Sequence, residues 1–183
     1  MKPNFFPKQL LLFFSFVVLS LACQEDVANE ELDLIDKDMV QATELADSYL
    51  ASSQARRKSD KSITILKYMD GKLWFATNTD KKRGYQEVTE ETVTAYVNPG
   101  EHVFWFSGGG VSDLEGIEFD AASQYQLVNS PEEINPDKMW VIMIPEDREI
   151  DADGFLKYDI IYQIQGNEGE PPIRLDPKLK VSQ

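Results

Sequence analysis

From residue 62 onward, apolar and polar residues alternate with a period of two, and glycine, proline and aspartate divide this pattern into short segments. A period of two places successive side chains on opposite faces of an extended strand. About eight such segments follow one another without an intervening helical pattern, which favours antiparallel pairing over a parallel sheet. The sequence therefore predicts a mainly β domain over residues 59–183, built as an antiparallel Greek-key sandwich.

Tight turns separate the clearest of these predicted strands. Asp70-Gly71 lies between SITILKYM and KLWFATN and is a strong signal for a two-residue β-hairpin. Pro99-Gly100 lies between TVTAYVN and EHVFWFS and predicts a second tight turn. The continuous apolar run MWVIMI at 139–144 indicates a strand that is covered on both faces.

Other segments depart from the strand pattern. Residues 120–137 contain two prolines and no alternation, so we expect a loop there. Gly108-Gly109-Gly110 follows a strand but lacks the spacing of a nucleotide-binding fingerprint, which favours a flexible bend or bulge. A last short strand over 173–181 is expected to be interrupted at Pro177, because proline cannot donate to a strand ladder.

Before the strands, apolar residues recur at steps of three and four, which is the period of an amphipathic helix. Acidic residues crowd the start of this segment and basic residues end it, a polarity that complements the helix dipole. We therefore predict an amphipathic helix over residues 32–58 that packs on the domain or forms a stalk. Its apolar stripe consists of Leu32, Ile35, Met39, Ala42, Ala46 and Tyr49.

The N-terminal segment has the three parts of an export signal. Lys2 and Lys8 precede the apolar residues 9–22, a run too short to span a bilayer comfortably, and Ala22 precedes the single cysteine, Cys23. This segment resembles the bacterial lipoprotein signal peptide, although Ser20 stands where leucine is commoner. The resemblance implies that residues 1–22 are removed, that Cys23 is diacylated, and that residues 23–31 form a lipidated acidic tether.

The residues after the cysteine, Gln24-Glu25-Asp26, resemble the acidic surface-export signal of some Gram-negative lipoproteins. This resemblance implies an outer-membrane protein that is attached to the membrane by its lipid and displayed at the cell surface. Envelope proteins or glycans are then the expected partners.

Charge and cysteine content narrow the possible partners and stabilising elements. Without residues 1–22 the chain has 16 Lys and Arg against 32 Asp and Glu, a formal charge of −16. Such a surface repels phosphate backbones, so we expect no nucleic-acid partner. A single cysteine excludes an intrachain disulfide, so the hydrophobic core must suffice without covalent cross-links.

The segment 97–106 resembles a hairpin of cupredoxins, and similar turns occur in immunoglobulin-like sandwiches. A blue-copper site needs two histidines and a cysteine thiolate. This chain has one histidine, His102, and its one cysteine is assigned to lipid. We therefore expect a cupredoxin-like or immunoglobulin-like fold without copper, and no cofactor.

Two sets of residues are candidates for ligand binding. Asp147, Asp151 and Asp153 could bind calcium loosely, although the EF-hand pattern fails because Ile160 stands where a bidentate glutamate is required. An acidic turn between strands is the simpler explanation. Trp74, Trp105 and Trp140 could form a carbohydrate-stacking platform if they were exposed, although aromatic residues on strands usually lie in the core.

No catalytic signature is present, and a serine nucleophile would have to use His102 without a G-x-S-x-G motif. The sequence therefore predicts a non-catalytic envelope protein with a binding or structural role. A carbohydrate- or calcium-binding accessory module is the alternative. A hydrolase that uses paired carboxylates has the least support, because abundant acidic residues make any pair unspecific.

Overall fold

The computed structural model describes residues 37–53, 60–79, 84–89, 94–127, 129–135, 139–146 and 154–182. Cys23, the calcium candidates Asp147, Asp151 and Asp153, and both ends of the predicted helix lie outside these residues. Asp38–Gln183 form one compact unit. No helix within the described residues is long and apolar enough to cross a membrane.

The described part of the chain is mainly β, with eleven strands and two helices. Helix α1 occupies residues 37–52 and helix α2 is Ala121–Gln126. The strands are β1 (Lys61–Met69), β2 (Lys72–Thr77), β3 (Gln86–Glu87), β4 (Thr94–Val97), β5 (His102–Ser107), β6 (Val111–Phe119), β7 (Glu132–Asn135), β8 (Met139–Met143), β9 (Phe155–Ile164), β10 (Ile173–Leu175) and β11 (Lys178–Val181).

These strands form two sheets. The first sheet has the order β3-β2-β1-β5-β8-β7. In the second sheet β9 pairs with β6 along one edge and with β10 and β11 along the other, and β11 pairs with β4. Strands β10 and β11 continue one register on β9 and are interrupted at 176–177, which confirms the break expected at Pro177.

Both sheets are mixed, so the prediction of purely antiparallel pairing was wrong. Strand β1 runs parallel to β5, and β4 runs parallel to β11, whereas the other described pairs are antiparallel. The parallel pairs join strands that are distant in the sequence, and the alternation of side chains carries no information about such pairing. Only contacts between distant segments determine the direction of the neighbour.

The two turn predictions had different outcomes. Asp70 and Gly71 have φ values of 52° and 77°, as a tight hairpin turn requires, and they join the antiparallel strands β1 and β2. Around Pro99-Gly100 the amide of Glu101 donates to the carbonyl of Asn98 at 3.1 Å, so the tight turn is present. It joins no hairpin, however, because β4 belongs to the second sheet and β5 to the first.

The prediction of a loop over 120–137 was also wrong in part. Helix α2 begins after Asp120, whose carboxylate accepts a hydrogen bond from the amide of Ser123 at 2.7 Å, as an N-cap residue does. Strand β7 follows in the same region and pairs with β8 at the edge of the first sheet. Its sequence, EEIN, has too little apolar character to stand out as a strand.

The main hydrophobic core lies between the two sheets. Leu66, Phe75 and Trp105 of the first sheet pack with residues of the second sheet such as Leu114 and Tyr158. On the other face of the first sheet, Ala42 and Ala46 of α1 are buried in a second cluster with Ile63, Ile65, Phe104, Phe106, Met139 and Val141. The described unit therefore has three layers, α1, the first sheet and the second sheet.

Strand β8 illustrates this layering. Met139 and Val141 belong to the cluster beneath α1, whereas Ile142 and Ile144 belong to the core between the sheets. The prediction that 139–144 is covered on both faces is therefore confirmed. The apolar run is continuous because each face of this strand meets a different hydrophobic layer.

Candidate functional site

The triglycine segment Gly108–Gly110 connects β5 in the first sheet to β6 in the second. Gly108 donates to the carbonyl of Leu66 at 2.7 Å, and the carbonyl of Gly109 accepts from Tyr68 at 2.9 Å. The carbonyl of Gly110 accepts from Gln165, after β9, at 3.0 Å. The predicted bend is present, and these bonds attach it to both sheets.

Gly110 is the position in this turn that most requires glycine. Its φ is 78°, and a Cβ atom there would lie 2.0 Å from the carbonyl oxygen of Tyr68. A backbone oxygen cannot move aside as a flexible side chain can. The close approach of this turn to β1 therefore depends on the absence of a side chain.

A cleft of about 540 Å³ lies between the N-terminal half of α1 and the triglycine turn. Gln41 and Leu45 of α1 form one wall, the backbone of Gly108–Gly110 forms the second, and Gln165 and Glu168 approach from the turn after β9. Ile65 and Phe106 line its base. The cleft thus offers amide, carboxylate and backbone polar groups around an apolar base.

A buried lysine holds the start of α1 beside this cleft. Asp38, which also lines the cleft, accepts hydrogen bonds through Oδ2 from Lys67 Nζ at 3.1 Å and from the Tyr85 hydroxyl at 2.7 Å. The Lys67 ammonium also lies 5.0 Å from the centroid of the Tyr85 ring, within the range of a cation–π interaction. Lys67 is only 8% exposed, so its charge depends on these partners.

The electrostatics of this network keep Tyr85 protonated. Burial raises the pKa of the Tyr85 phenol, and both its hydrogen bond to Asp38 and the negative charge of that carboxylate raise it further. Tyr85 is therefore a hydrogen-bond donor throughout the physiological pH range. The network of Asp38, Lys67 and Tyr85 suits the positioning of a wall of the cleft better than proton transfer.

His102 is not part of this cleft. It begins β5, whereas Ser107 of the cleft ends the same strand, about 16 Å away at the usual rise of a strand. Its ring lies 6.3 Å from that of Phe104, and burial lowers the pKa of the imidazole. The histidine and the serine of this strand are therefore too far apart for nucleophilic catalysis.

The three tryptophans do not share one surface. Trp105 is 1% exposed, and its indole nitrogen donates to the Tyr158 hydroxyl at 3.2 Å. Trp140, opposite Trp105 on β8, is half-buried against the same core and donates to the carbonyl of Leu114 at 2.7 Å. Trp74 is half-buried opposite Lys67, on the face of the first sheet that carries α1.

Carboxylates are close to one another on the outer face of the second sheet. Glu118 and Asp159 are cross-strand neighbours, and both accept hydrogen bonds from Arg174 Nη1 at 2.9 Å. Within the described residues, no group of three or more His, Cys, Asp or Glu side chains is arranged to hold a metal ion. The geometry at Arg174 is that of a compensated ion pair.

Sequence reasoning did not find the network at Asp38. One signal was available, because Lys67 occupies a position of β1 in phase with Ile63 and Ile65 on an apolar face. A lysine at such a position needs a partner of opposite charge. The sequence does not show that this partner would be Asp38.

The chain matches no family model, and no curated protein has a significantly similar sequence. Its function is therefore argued from its own residues.

Proposed function

We propose that this chain is a lipid-anchored protein of the outer membrane whose domain has a non-catalytic binding or structural role. The observation that carries the proposal is the position of Cys23, the one cysteine of the chain, directly after a basic and apolar leader that ends in Ala22. Its acyl chains would supply the attachment to the membrane. The acidic residues Glu25 and Asp26 favour display at the cell surface.

The cleft between α1 and the triglycine turn is the binding site we propose for this domain. Glu168 gives it negative charge, since Asp38 is paired with Lys67, and Gln41 and Gln165 add amide donors and acceptors. A hydroxyl-rich or cationic ligand matches this lining better than an anion does. A glycan-binding accessory module is therefore the second candidate function, with the cleft in place of the tryptophan platform.

Catalysis by paired carboxylates has less support. The neighbouring carboxylates Glu118 and Asp159 are both engaged by Arg174 in an exposed ion pair outside the cleft. Paired catalytic carboxylates have to flank the scissile bond of a bound substrate.

We further propose that the two mixed sheets and α1 are a variant of the Greek-key sandwich of the cupredoxin-like or immunoglobulin-like kind. The shared core between the sheets and the passage of the chain from one sheet to the other at Pro99-Gly100 and Gly108–Gly110 support this. An experimental structure, compared strand by strand with both folds, would test it. A strand order that matches neither the cupredoxin-like nor the immunoglobulin-like fold would reject the assignment.

The anchor is tested by labelling cells with a radioactive or clickable fatty acid. We expect the wild-type protein to incorporate the label and to float with membranes, and Cys23→Ser to do neither. Ser20→Leu, which brings the leader closer to the common pattern, is the matched control and should retain both properties. Continued acyl labelling of Cys23→Ser would refute the proposal.

The cleft is tested by titrating the purified protein with neutral and cationic oligosaccharides and following amide chemical shifts. We expect the largest changes in amide chemical shift at Gln41, Gly109 and Gln165. The Gln41→Ala variant should bind the oligosaccharide more weakly than the wild type. Gln163→Ala, on β9 outside the cleft, serves as the control. Shifts confined to other regions would reject the cleft as the site.

A further inference from the structure

The outer face of the second sheet gathers lysines in a chain dominated by acidic residues. Lys178 of β11 lies opposite Lys157 of β9 and opposite Thr94 of β4. Two positions along, Lys180 lies opposite Phe155 and Tyr96. Leu179 between them is buried in the core, so both lysines project from the outer face. We call the surface of Tyr96, Phe155, Lys157, Lys178 and Lys180 the lysine face.

The lysines of this face form no ion pair among the described residues. Like charges placed directly opposite each other on neighbouring strands are destabilising. Asp159, two positions from Lys157 on β9, pairs with Arg174. The pKa of Asp120 is lowered first by its hydrogen bonds to Ser123 and to a smaller extent by Lys157.

An aromatic ring holds two of these ammonium groups in place. Lys180 Nζ lies 4.3 Å and Lys178 Nζ 5.9 Å from the centroid of the Phe155 ring. Both distances are within the range of cation–π attraction. Tyr96 continues the row beyond Lys180 and is 51% exposed. The face thus presents positive charge and one exposed amphipathic aromatic residue.

We propose that the lysine face lies against the anionic headgroups of the membrane to which the protein is anchored. This inference rests on the lipid anchor proposed above. The positive face complements phosphate-bearing lipids, and tyrosine suits the boundary between headgroups and acyl chains. The excess of acidic residues in the chain is repelled by the same headgroups, which favours contact through the lysines.

The length of the chain before α1 permits this orientation. Helix α1 lies on the side of the first sheet away from the second sheet, so in this orientation it is the layer most distant from the membrane. The two sheets are separated by about 10 Å and the helix adds about 10 Å more. Residues 24–36, if fully extended, would span at most about 43–47 Å, which is enough to reach from the bilayer to α1. The cleft beside α1 would then open away from the membrane.

The test uses the lipidated protein in vesicles, with a single introduced thiol carrying an environment-sensitive fluorophore. Thr94→Cys reports from the lysine face, and Val40→Cys, on the exposed side of α1, is the matched control. We expect residue 94 to become accessible to a lipid-borne quencher when phosphatidylcholine vesicles also contain phosphatidylglycerol. Residue 40 should remain in water in both kinds of vesicle.

A charge-neutral variant tests the role of the lysines. The double variant Lys178→Gln and Lys180→Gln should lower the equilibrium constant for membrane contact at residue 94 about 30-fold. Each lysine near an anionic surface contributes about 1 kcal/mol, which is about 5-fold, and the variant removes two. Lys37→Gln with Lys72→Gln makes the same change of charge elsewhere and should have no such effect. Quenching at residue 94 that is equal in neutral vesicles, or unaffected by the first double variant, would overturn the proposal.

Other occupants of the face would give different results. Protection of residue 94 by a soluble anionic polysaccharide, without quenching in anionic vesicles, would mean a glycan site and would overturn the proposal. Protection that rises with protein concentration alone would mean a second copy and would also overturn it.

The anchor is checked separately, by the mass of acylated Cys23 and by flotation with neutral vesicles. A protein that floats but keeps residue 94 in water retains the anchor and loses the proposed orientation. If the anchor itself fails, co-sedimentation of the unlabelled protein with anionic vesicles decides the matter. Binding that the Lys178 and Lys180 substitutions abolish would support the lysine face, and no binding would overturn it.

Discussion

Replacing Gly110 by alanine tests how the triglycine turn holds the two sheets beside the cleft. The new Cβ atom would lie 2.0 Å from the carbonyl oxygen of Tyr68, and the residue would have to keep a φ of 78°. The left-handed conformation alone costs an alanine about 1 kcal/mol. Relief of the overlap requires the turn and β1 to separate.

That separation weakens two hydrogen bonds that the turn accepts, one at Gly109 and one at Gly110. Tyr68 donates to the carbonyl of Gly109 at 2.9 Å, and Gln165 donates to the carbonyl of Gly110 at 3.0 Å. Each such bond contributes about 1 kcal/mol to the free energy of unfolding. With the backbone term, Gly110→Ala should reduce this free energy by about 3 kcal/mol.

Gly166→Ala is the matched control. Gly166 has a φ of 92°, and an added Cβ there meets no atom within 4 Å. This variant should therefore lose only the backbone term, about 1 kcal/mol. Urea-induced unfolding, followed by tryptophan fluorescence and by circular dichroism, measures both variants against the wild type. Equal losses in the two variants would refute the claim that Tyr68 blocks a side chain at position 110.

Three further variants test individual contacts. Asp38→Ala removes the carboxylate partner of buried Lys67 and should lower the free energy of unfolding by about 3 kcal/mol. The double variant Asp38→Leu with Lys67→Met removes both charges and should recover part of that loss in the same urea titration, because the Tyr85 hydroxyl still lacks its acceptor. No recovery would argue against the buried charge as the cause. Tyr158→Phe deprives the buried Trp105 indole of its acceptor and should lower the free energy of unfolding by about 1–2 kcal/mol. The same substitution should cost less in a protein that already carries Trp105→Phe, because no indole is then left unpaired. The hydrogen bonds from Ser123 lower the pKa of Asp120, so its charged form stabilises the fold at neutral pH and this contribution is lost as the pH falls through its lowered pKa. Asp120→Asn keeps the helix cap and should reduce only the acid-dependent loss of stability, which urea titrations at neutral and acidic pH compare; an unchanged pH dependence would contradict the assignment.

Turn residues and runs of apolar residues correctly predicted the elements that depend only on neighbouring residues. The hairpin at Asp70-Gly71 follows from two adjacent residues with positive φ, and the double burial of 139–144 follows from its uninterrupted apolar run. The pairing of β1 with β5 does not follow from any local pattern, because it joins Lys61 to His102 across the intervening β2, β3 and β4. Tertiary contacts alone decide such a parallel neighbour.

The cleft shows the same division between local and distant information. Glycines at 108–110 indicated a bend, but the closeness of that bend to β1 depends on the hydrogen bonds to Leu66 and Tyr68. Lys67 is 29 residues from Asp38, and Tyr85 is 47 residues from it. The sequence shows that the three side chains exist but does not show that they meet. Only the packing of α1 on the first sheet brings Asp38 to Lys67.

The contact between Asp38 and Lys67 also determines how α1 is fixed to the first sheet. Asp38 joins the first turn of this helix to β1, an inner strand of the first sheet. Ala42 and Ala46 are buried in the cluster beneath α1, and Met39, Tyr49 and Leu50 pack against it, so the polar contact at Asp38 adds to an apolar one. The buried lysine is thus explained by the attachment of the first turn of α1 to β1, and the same contact holds one wall of the cleft.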